Sequence, residues 1–85
     1  MEYVIVSFRS RAHTVKFHEF LRRNGISSEI VNTPKEAGVG CGLSVRVSKE
    51  QLSTVKKLVY LTKLSSFAGV FLYKTTSRQR SVRSI

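Results

Sequence analysis

Short strand-like segments alternate with two helical segments along this 85-residue chain, and that order constrains the fold more than any other feature. Residues 3–8 are rich in β-branched and aromatic side chains, and residues 43–47 alternate apolar with polar side chains. Both patterns predict strands. Residues 26–31 are interpreted as a short strand that ends before Thr33-Pro34, and residues 68–73 are an apolar segment, so four strands are expected.

Helical periodicity predicts two helices between these strands. In residues 11–24 the apolar side chains recur mostly at spacings of three and four, and Ser10 stands at the N-cap position. The second helix follows Ser48-Lys49-Glu50-Gln51, which has the Ser-x-x-Gln spacing of a capping box, and it continues to Thr62. The order β-α-β-β-α-β predicts an α+β, ferredoxin-like fold. Its four-stranded antiparallel sheet has the order 4-1-3-2 and carries both helices on one face.

The length of the chain allows one small core, so a single domain is expected over residues 1–74. Residues 75–84 show no hydrophobic period, and 75–85 are interpreted as a basic tail that is disordered when unbound. The sheet face away from the helices stays open in this arrangement. Apolar residues on both faces of the first and fourth strands favour a homodimer through that face.

The chain is strongly basic, with 15 Lys and Arg against 5 Asp and Glu and a formal net charge of +10. This balance favours an anionic partner such as nucleic acid, an acidic protein or a phosphate-bearing ligand, although a solubilising charge explains it equally well. The tail is the expected site of weak, salt-sensitive binding to nucleic acid. Sequence-specific RNA binding is disfavoured because the third strand, residues 43–47, has no aromatic side chain.

Other function classes have little support in the sequence. No apolar run approaches the roughly 20 residues that span a bilayer, and no basic segment followed by a long apolar run opens the chain, which favours the cytoplasm. His13 and His18 are five residues apart and therefore about 140° apart around a helix, so they do not form a metal-binding pair. Because phosphate-loop, Cys-x-x-Cys and serine-nucleophile motifs are missing, we expect no cofactor and a carrier or binding protein rather than a self-sufficient enzyme.

The single cysteine, Cys41, lies between Gly40 and Gly42 in a glycine-rich loop before the third strand. Glycine neighbours leave a sulfur uncovered, which suits a reactive thiol, but a buried cysteine at a strand entry fits the same composition. A reactive thiol needs nearby cations or backbone N–H groups to lower its pKa from the ordinary value of about 8.5. The candidate cations are Arg9, Arg11, Lys35 and Arg46.

The run from Asn32 to Val47 resembles a small bacterial family called putative Se/S carrier protein-like. The resemblance covers about residues 2–62 and rests on Pro34-Lys35 and on the pair Cys41-Gly42 leading into a strand. It implies that Cys41 accepts sulfur or selenium from a donor protein, as a persulfide or its selenium counterpart, with Gly42 beside it. The chain has Gly38-Val39-Gly40 where relatives tend to have serines. The alternative is a basic ferredoxin-like module that binds nucleic acid or a protein partner, with a structural Cys41.

Overall fold

The computed structural model describes residues 2–38, 42–75 and 80–85. It confirms the α+β class, with two helices and five antiparallel strands among these residues. The elements are β1 (Glu2–Phe8), α1 (Arg11–Arg23), β2 (Glu29–Asn32), a 3₁₀ turn (Lys35–Ala37), β3 (Leu43–Ser48), a second 3₁₀ turn (Lys49–Gln51), α2 (Leu52–Thr62), β4 (Phe67–Thr75) and β5 (Arg80–Ser84).

The five strands form one sheet in the order β2-β3-β1-β4-β5, with β1 at its centre. Val4 of β1 pairs with Val47 of β3 on one side and with Leu72 of β4 on the other. The first strand therefore neighbours the third, as expected. The predicted count of four strands is wrong because β5 pairs with β4 at the edge, so the ferredoxin-like description is matched only in part.

Strand β5 departs from the prediction that residues 75–84 lack regular structure. Val82 pairs with Tyr73 of β4, and the backbone N–H of Ile85 donates to the carbonyl oxygen of Val70 over 2.9 Å. Val82 packs on one face of the sheet and Ile85 on the other. Two apolar side chains are too few to produce a strand pattern, but pairing with β4 satisfies the backbone and buries both of them.

Both helices cover the same face of the sheet, which we call the helix-covered face. Phe8 of β1 packs there against Phe17 of α1, with ring centroids 5.3 Å apart. Burial of each such side chain contributes about 1.5–3 kcal/mol to folding. The fully buried residues of this core are Val4, Val6, Phe8, Phe17, Leu21, Val45 and Val55.

The two helices begin in different ways. Ser10 caps α1 as predicted, because its Oγ accepts from the backbone N–H of His13 over 3.2 Å. The predicted capping box of the second helix is wrong. Ser48 makes no side-chain cap, since it stays extended in β3 opposite Tyr3, and the chain turns through the 3₁₀ turn Lys49–Gln51 before α2 begins.

The opposite face of the sheet is not open. Ile5, Phe71 and Tyr73 are buried there in a second, smaller cluster, and Ala37 of the first 3₁₀ turn packs against it. That turn also contacts β5, so the connection between β2 and β3 folds back across the sheet. Of the apolar residues that favoured a homodimer, Ile5, Phe71 and Tyr73 are therefore buried within the chain itself, and Tyr3 is half-buried.

Candidate functional site

The candidate site lies at the connection between β2 and β3. Its base is closed by the backbone N–H of Thr33, which donates to the carbonyl oxygen of Gly42 over 2.8 Å. Gly42 has a φ of 94°, in the left-handed region that favours glycine, so a side chain there would strain the backbone. Cys41 and Gly40, the predicted acceptor and its neighbour, lie outside the described residues. Gly42 is thus the described residue that stands next to Cys41 in the sequence.

A row of three hydroxyl groups lies at the base of this connection. Ser44 Oγ is 2.8 Å from Ser7 Oγ and 2.6 Å from Thr33 Oγ1, and both serines are fully buried. Three hydroxyls carry three protons, and the two bonds within the row use two of them. The third proton therefore takes no part in a bond within the row. The sequence holds no pattern for this row beyond a serine in each of two strands.

The first turn of α1 lies beside the start of β3. The buried Thr14 hydroxyl donates to the carbonyl oxygen of Ser10 over 3.2 Å and lies 3.5 Å from that of Leu43. Leu43 follows Cys41 by two positions. A helix N-terminus carries a partial positive charge, which favours an anion such as a thiolate in its vicinity. The fold thus brings a fixed positive potential to the strand that the cysteine precedes.

Two of the four predicted cations follow β1 at this end of the sheet, and a third lies in the connection between β2 and β3. The pairing of Ser7 with Ser44 places the end of β1 beside the start of β3, and Arg9 and Arg11 follow β1 directly. Lys35 lies in the connection itself, and all three side chains are exposed. Among the described residues no carboxylate pairs with any of them. Their charges are therefore available to an anion at this end.

Arg46, the fourth predicted cation, is engaged elsewhere. Its Nη2 donates to Glu29 Oε1 over 2.6 Å, and its guanidinium lies 5.1 Å from the centre of the Tyr3 ring. The hydrogen bond to Glu29 raises the pKa of Arg46 above its ordinary value. The Glu29 carboxylate offsets the charge of Arg46, so this residue adds little to the potential at the site.

The histidines contact serines. His13 Nδ1 is 2.5 Å from Ser66 Oγ, and Ser66 precedes β4, on the side of β1 away from β3. His18 Nδ1 is 2.7 Å from Ser28 Oγ. Within the described part of the chain, no group of three histidine, cysteine or acidic side chains is close enough to hold a metal ion. In the same residues, no helix is long and apolar enough to cross a membrane.

The family model described as putative Se/S carrier protein-like matches residues 2–65, and the chain belongs to this family. The matched segment runs from β1 through α2 and includes the connection between β2 and β3. No curated protein and no solved structure matches the chain. The family assignment therefore stands on the sequence of the segment that carries the candidate site.

Proposed function

We propose that this protein accepts a sulfur or selenium atom on Cys41 and delivers it to a second protein. Membership of the Se/S carrier family supports the kind of cargo. The contact between Thr14 and Leu43 is the observation that carries the proposal, because it sets the positive end of α1 beside the strand that Cys41 precedes. A reducing compartment keeps such a thiol free, so the proposed location is the cytoplasm.

The proposed loading reaction is an exchange between a thiolate and a persulfide. The Cys41 thiolate attacks the terminal sulfur of a donor persulfide, so that a new sulfur–sulfur bond forms and the donor's sulfur–sulfur bond breaks. The donor sulfur leaves as a thiolate, and Cys41 becomes a persulfide. Delivery repeats the exchange with an acceptor thiolate. No electrons are gained or lost overall. Selenium is transferred in the same way when the thiolate attacks the terminal selenium of a donor Cys–S–SeH group.

The positive potential favours the form of Cys41 that reacts. The attacking group must be a thiolate, and a thiol with an ordinary pKa of about 8.5 is mostly protonated at neutral pH. The N-terminal turn of α1 and the charges of Arg9, Arg11 and Lys35 all favour the thiolate. We therefore propose that the pKa of Cys41 is lower than the ordinary value. The side chain of Arg46 takes no part in the proposal because it is paired with Glu29.

The test combines alkylation of Cys41 with mass spectrometry. The alkylation rate against pH gives the pKa of the thiol, and the intact mass after incubation with a small persulfide donor should rise by one sulfur atom. The double variant Arg9→Gln/Arg11→Gln should raise that pKa. The matched variant Arg22→Gln/Arg23→Gln, which removes two charges from the last turn of α1, should leave it unchanged.

Cys41→Ser should abolish the added mass while the protein remains folded. A thiol that titrates at or above about 8.5, resists alkylation in the native protein and gains no sulfur would contradict the proposal. If Cys41→Ser then also lowered the free energy of unfolding by several kcal/mol, the cysteine would be a core residue.

A further inference from the structure

A groove lies between α2 and β4, and no residue of the connection between β2 and β3 lines it. Its volume is about 600 Å³, within the usual range of ligand pockets. Beside it, the outer side of α2 exposes Tyr60 and Leu61, which retain 77% and 65% of their accessible surface. The apolar residues that line the groove are Val59, Leu64, Phe67, Val70 and Ile85. An apolar groove with exposed apolar side chains beside it is a candidate interaction site.

Lysines lie along the α2 side of this apolar surface. Lys56 and Lys63 line the groove, and Lys57 lies with Tyr60 and Leu61 on the adjoining surface of α2. Helix α2 contains no acidic residue. In the described ranges, none of the three lysines forms an ion pair with a carboxylate. The groove is thus lined by apolar side chains and positively charged along its α2 side.

We infer that this groove docks an acidic segment of a partner protein, with apolar side chains of that segment seated in the groove. In an amphipathic segment, apolar side chains would fill the groove and acidic side chains would pair with the lysines, as in helix-in-groove recognition. The lining of the groove includes no residue of the connection between β2 and β3, and the proposed docking requires no chemistry at the thiol.

The other occupants fit less well. Nucleic acid would bring its phosphates to the lysines and its bases to the rings of Tyr60 and Phe67, but the rest of the lining, Val59, Leu64, Val70 and Ile85, is aliphatic and offers neither stacking nor a phosphate contact. A second copy docked groove to groove would place its lysines against those of the first copy, and like charges repel. A lipid surface would reach Tyr60 and Leu61, which project outward, but it would leave the concave lining between α2 and β4 unfilled.

The probe is a short synthetic peptide with leucines at positions i, i+3, i+4 and i+7 and glutamates on the other side. Two control peptides are a scrambled version without the leucine stripe and a version with lysines in place of the glutamates. Binding is measured by fluorescence anisotropy on the full chain, and ¹⁵N chemical-shift changes locate the contact. We expect the first peptide to bind, with shift changes confined to α2, residues 63–66, the start of β4 and the end of the chain at Ser84 and Ile85.

The variant Lys56→Glu/Tyr60→Ala removes one positive charge, adds a negative one and truncates an exposed apolar side chain. It should weaken binding by about tenfold or more. The matched control Arg22→Glu/Val15→Ala makes the same changes on α1, where both side chains are exposed, and should bind like the unaltered protein. Circular dichroism checks that both variants are folded. Cys41→Ser should bind the peptide normally, which separates this test from that of the thiol.

Four results would overturn the inference. They are equal binding of the scrambled peptide, shift changes elsewhere on the protein, no shift change at the highest soluble peptide concentration, and unchanged affinity in the Lys56/Tyr60 variant. Tighter binding of an RNA oligonucleotide or an anionic lipid vesicle at the same residues would also overturn it. So would sedimentation showing a dimer that this variant dissociates, because the groove would then be a self-association surface.

Discussion

The two faces of the sheet carry different kinds of side chain. On the helix-covered face, Val4, Val6 and Phe8 of β1 meet an apolar core that both helices supply. On the opposite face, Ile5 belongs to a small apolar cluster, and Ser7 belongs to the buried row of hydroxyl groups. The first face contributes most of the burial that stabilises the fold. The second shapes the base of the connection that carries the candidate site.

The largest predicted difference between the faces concerns their apolar side chains. Phe17 is fully buried on the helix-covered face, so Phe17→Ala should lower the free energy of unfolding by about 3–5 kcal/mol. Val82 lies half-buried on β5, at the edge of the opposite face, so Val82→Ala should cost less than about 1.5 kcal/mol. Urea unfolding measures both values. Equal costs would show that the two clusters stabilise the fold alike.

Removing a hydroxyl group from the row should have an intermediate effect on the free energy of unfolding. The row lies on the opposite face of the sheet. Ser44→Ala removes the partner of both Ser7 and Thr33, and leaving a buried hydroxyl unpaired costs about 1–3 kcal/mol. The double variant Ser7→Ala/Ser44→Ala should cost less than the sum of the two single changes, because it leaves no buried serine hydroxyl unpaired. Urea unfolding of the unaltered protein, the two single variants and the double variant gives the four values of this double-mutant cycle.

Ser53→Ala, at an exposed position of α2, is the control for the loss of a serine hydroxyl. It should leave the free energy of unfolding within about 0.5 kcal/mol of the unaltered protein. Strict additivity of the Ser7 and Ser44 changes would show that the two hydroxyls do not act as a row.

The sequence predicted the elements with local patterns and missed those that depend on distant pairing. Alternation in residues 43–47 correctly predicted the strand β3, in which Val45 and Val47 join the helix-covered core. The partner of Arg46, Glu29, lies on β2, and the pairing of β2 with β3 decides that contact. Ser7 and Ser44 are 37 residues apart and meet only because β1 and β3 pair in one particular register. Such contacts are set by the register of the sheet, which no local pattern reveals.

The strand β5 was missed for the same reason. Its pattern contains one apolar residue, Val82, and the remaining stabilisation comes from hydrogen bonds to β4. The site residues stay a prediction: Arg9 and Arg11 follow β1 at the end of the sheet where β3 begins, whereas Arg46 pairs with Glu29. The Thr14 contact with Leu43 could not be predicted, since it requires the position of α1 on the sheet.

The smallest predicted effect concerns charge at the rim of the helix-covered face. Partial desolvation acts to raise the pKa of the Glu2 carboxyl, but the hydrogen bond from Lys49 and the charges of Lys49 and Lys74 together hold it below its ordinary value of 4.5. The distances from the carboxylate oxygens to Lys49 Nζ and Lys74 Nζ are 3.4 and 3.7 Å. These exposed pairs stabilise the fold only slightly.

A lowered pKa makes this contribution depend on pH in one direction. The stabilisation is present above the unfolded pKa near 4.5 and is lost as the pH falls through the lower pKa of the folded state. Glu2→Gln should therefore reduce the loss of stability below pH 4.5 and leave the helix-covered core unchanged. Carboxyl NMR titration should show the pKa of Glu2 rising in Lys49→Met, while Lys57→Met, on α2, leaves it in place. If Glu2 titrated at or above its ordinary value in the unaltered protein, the two lysines would not act on it as the distances indicate.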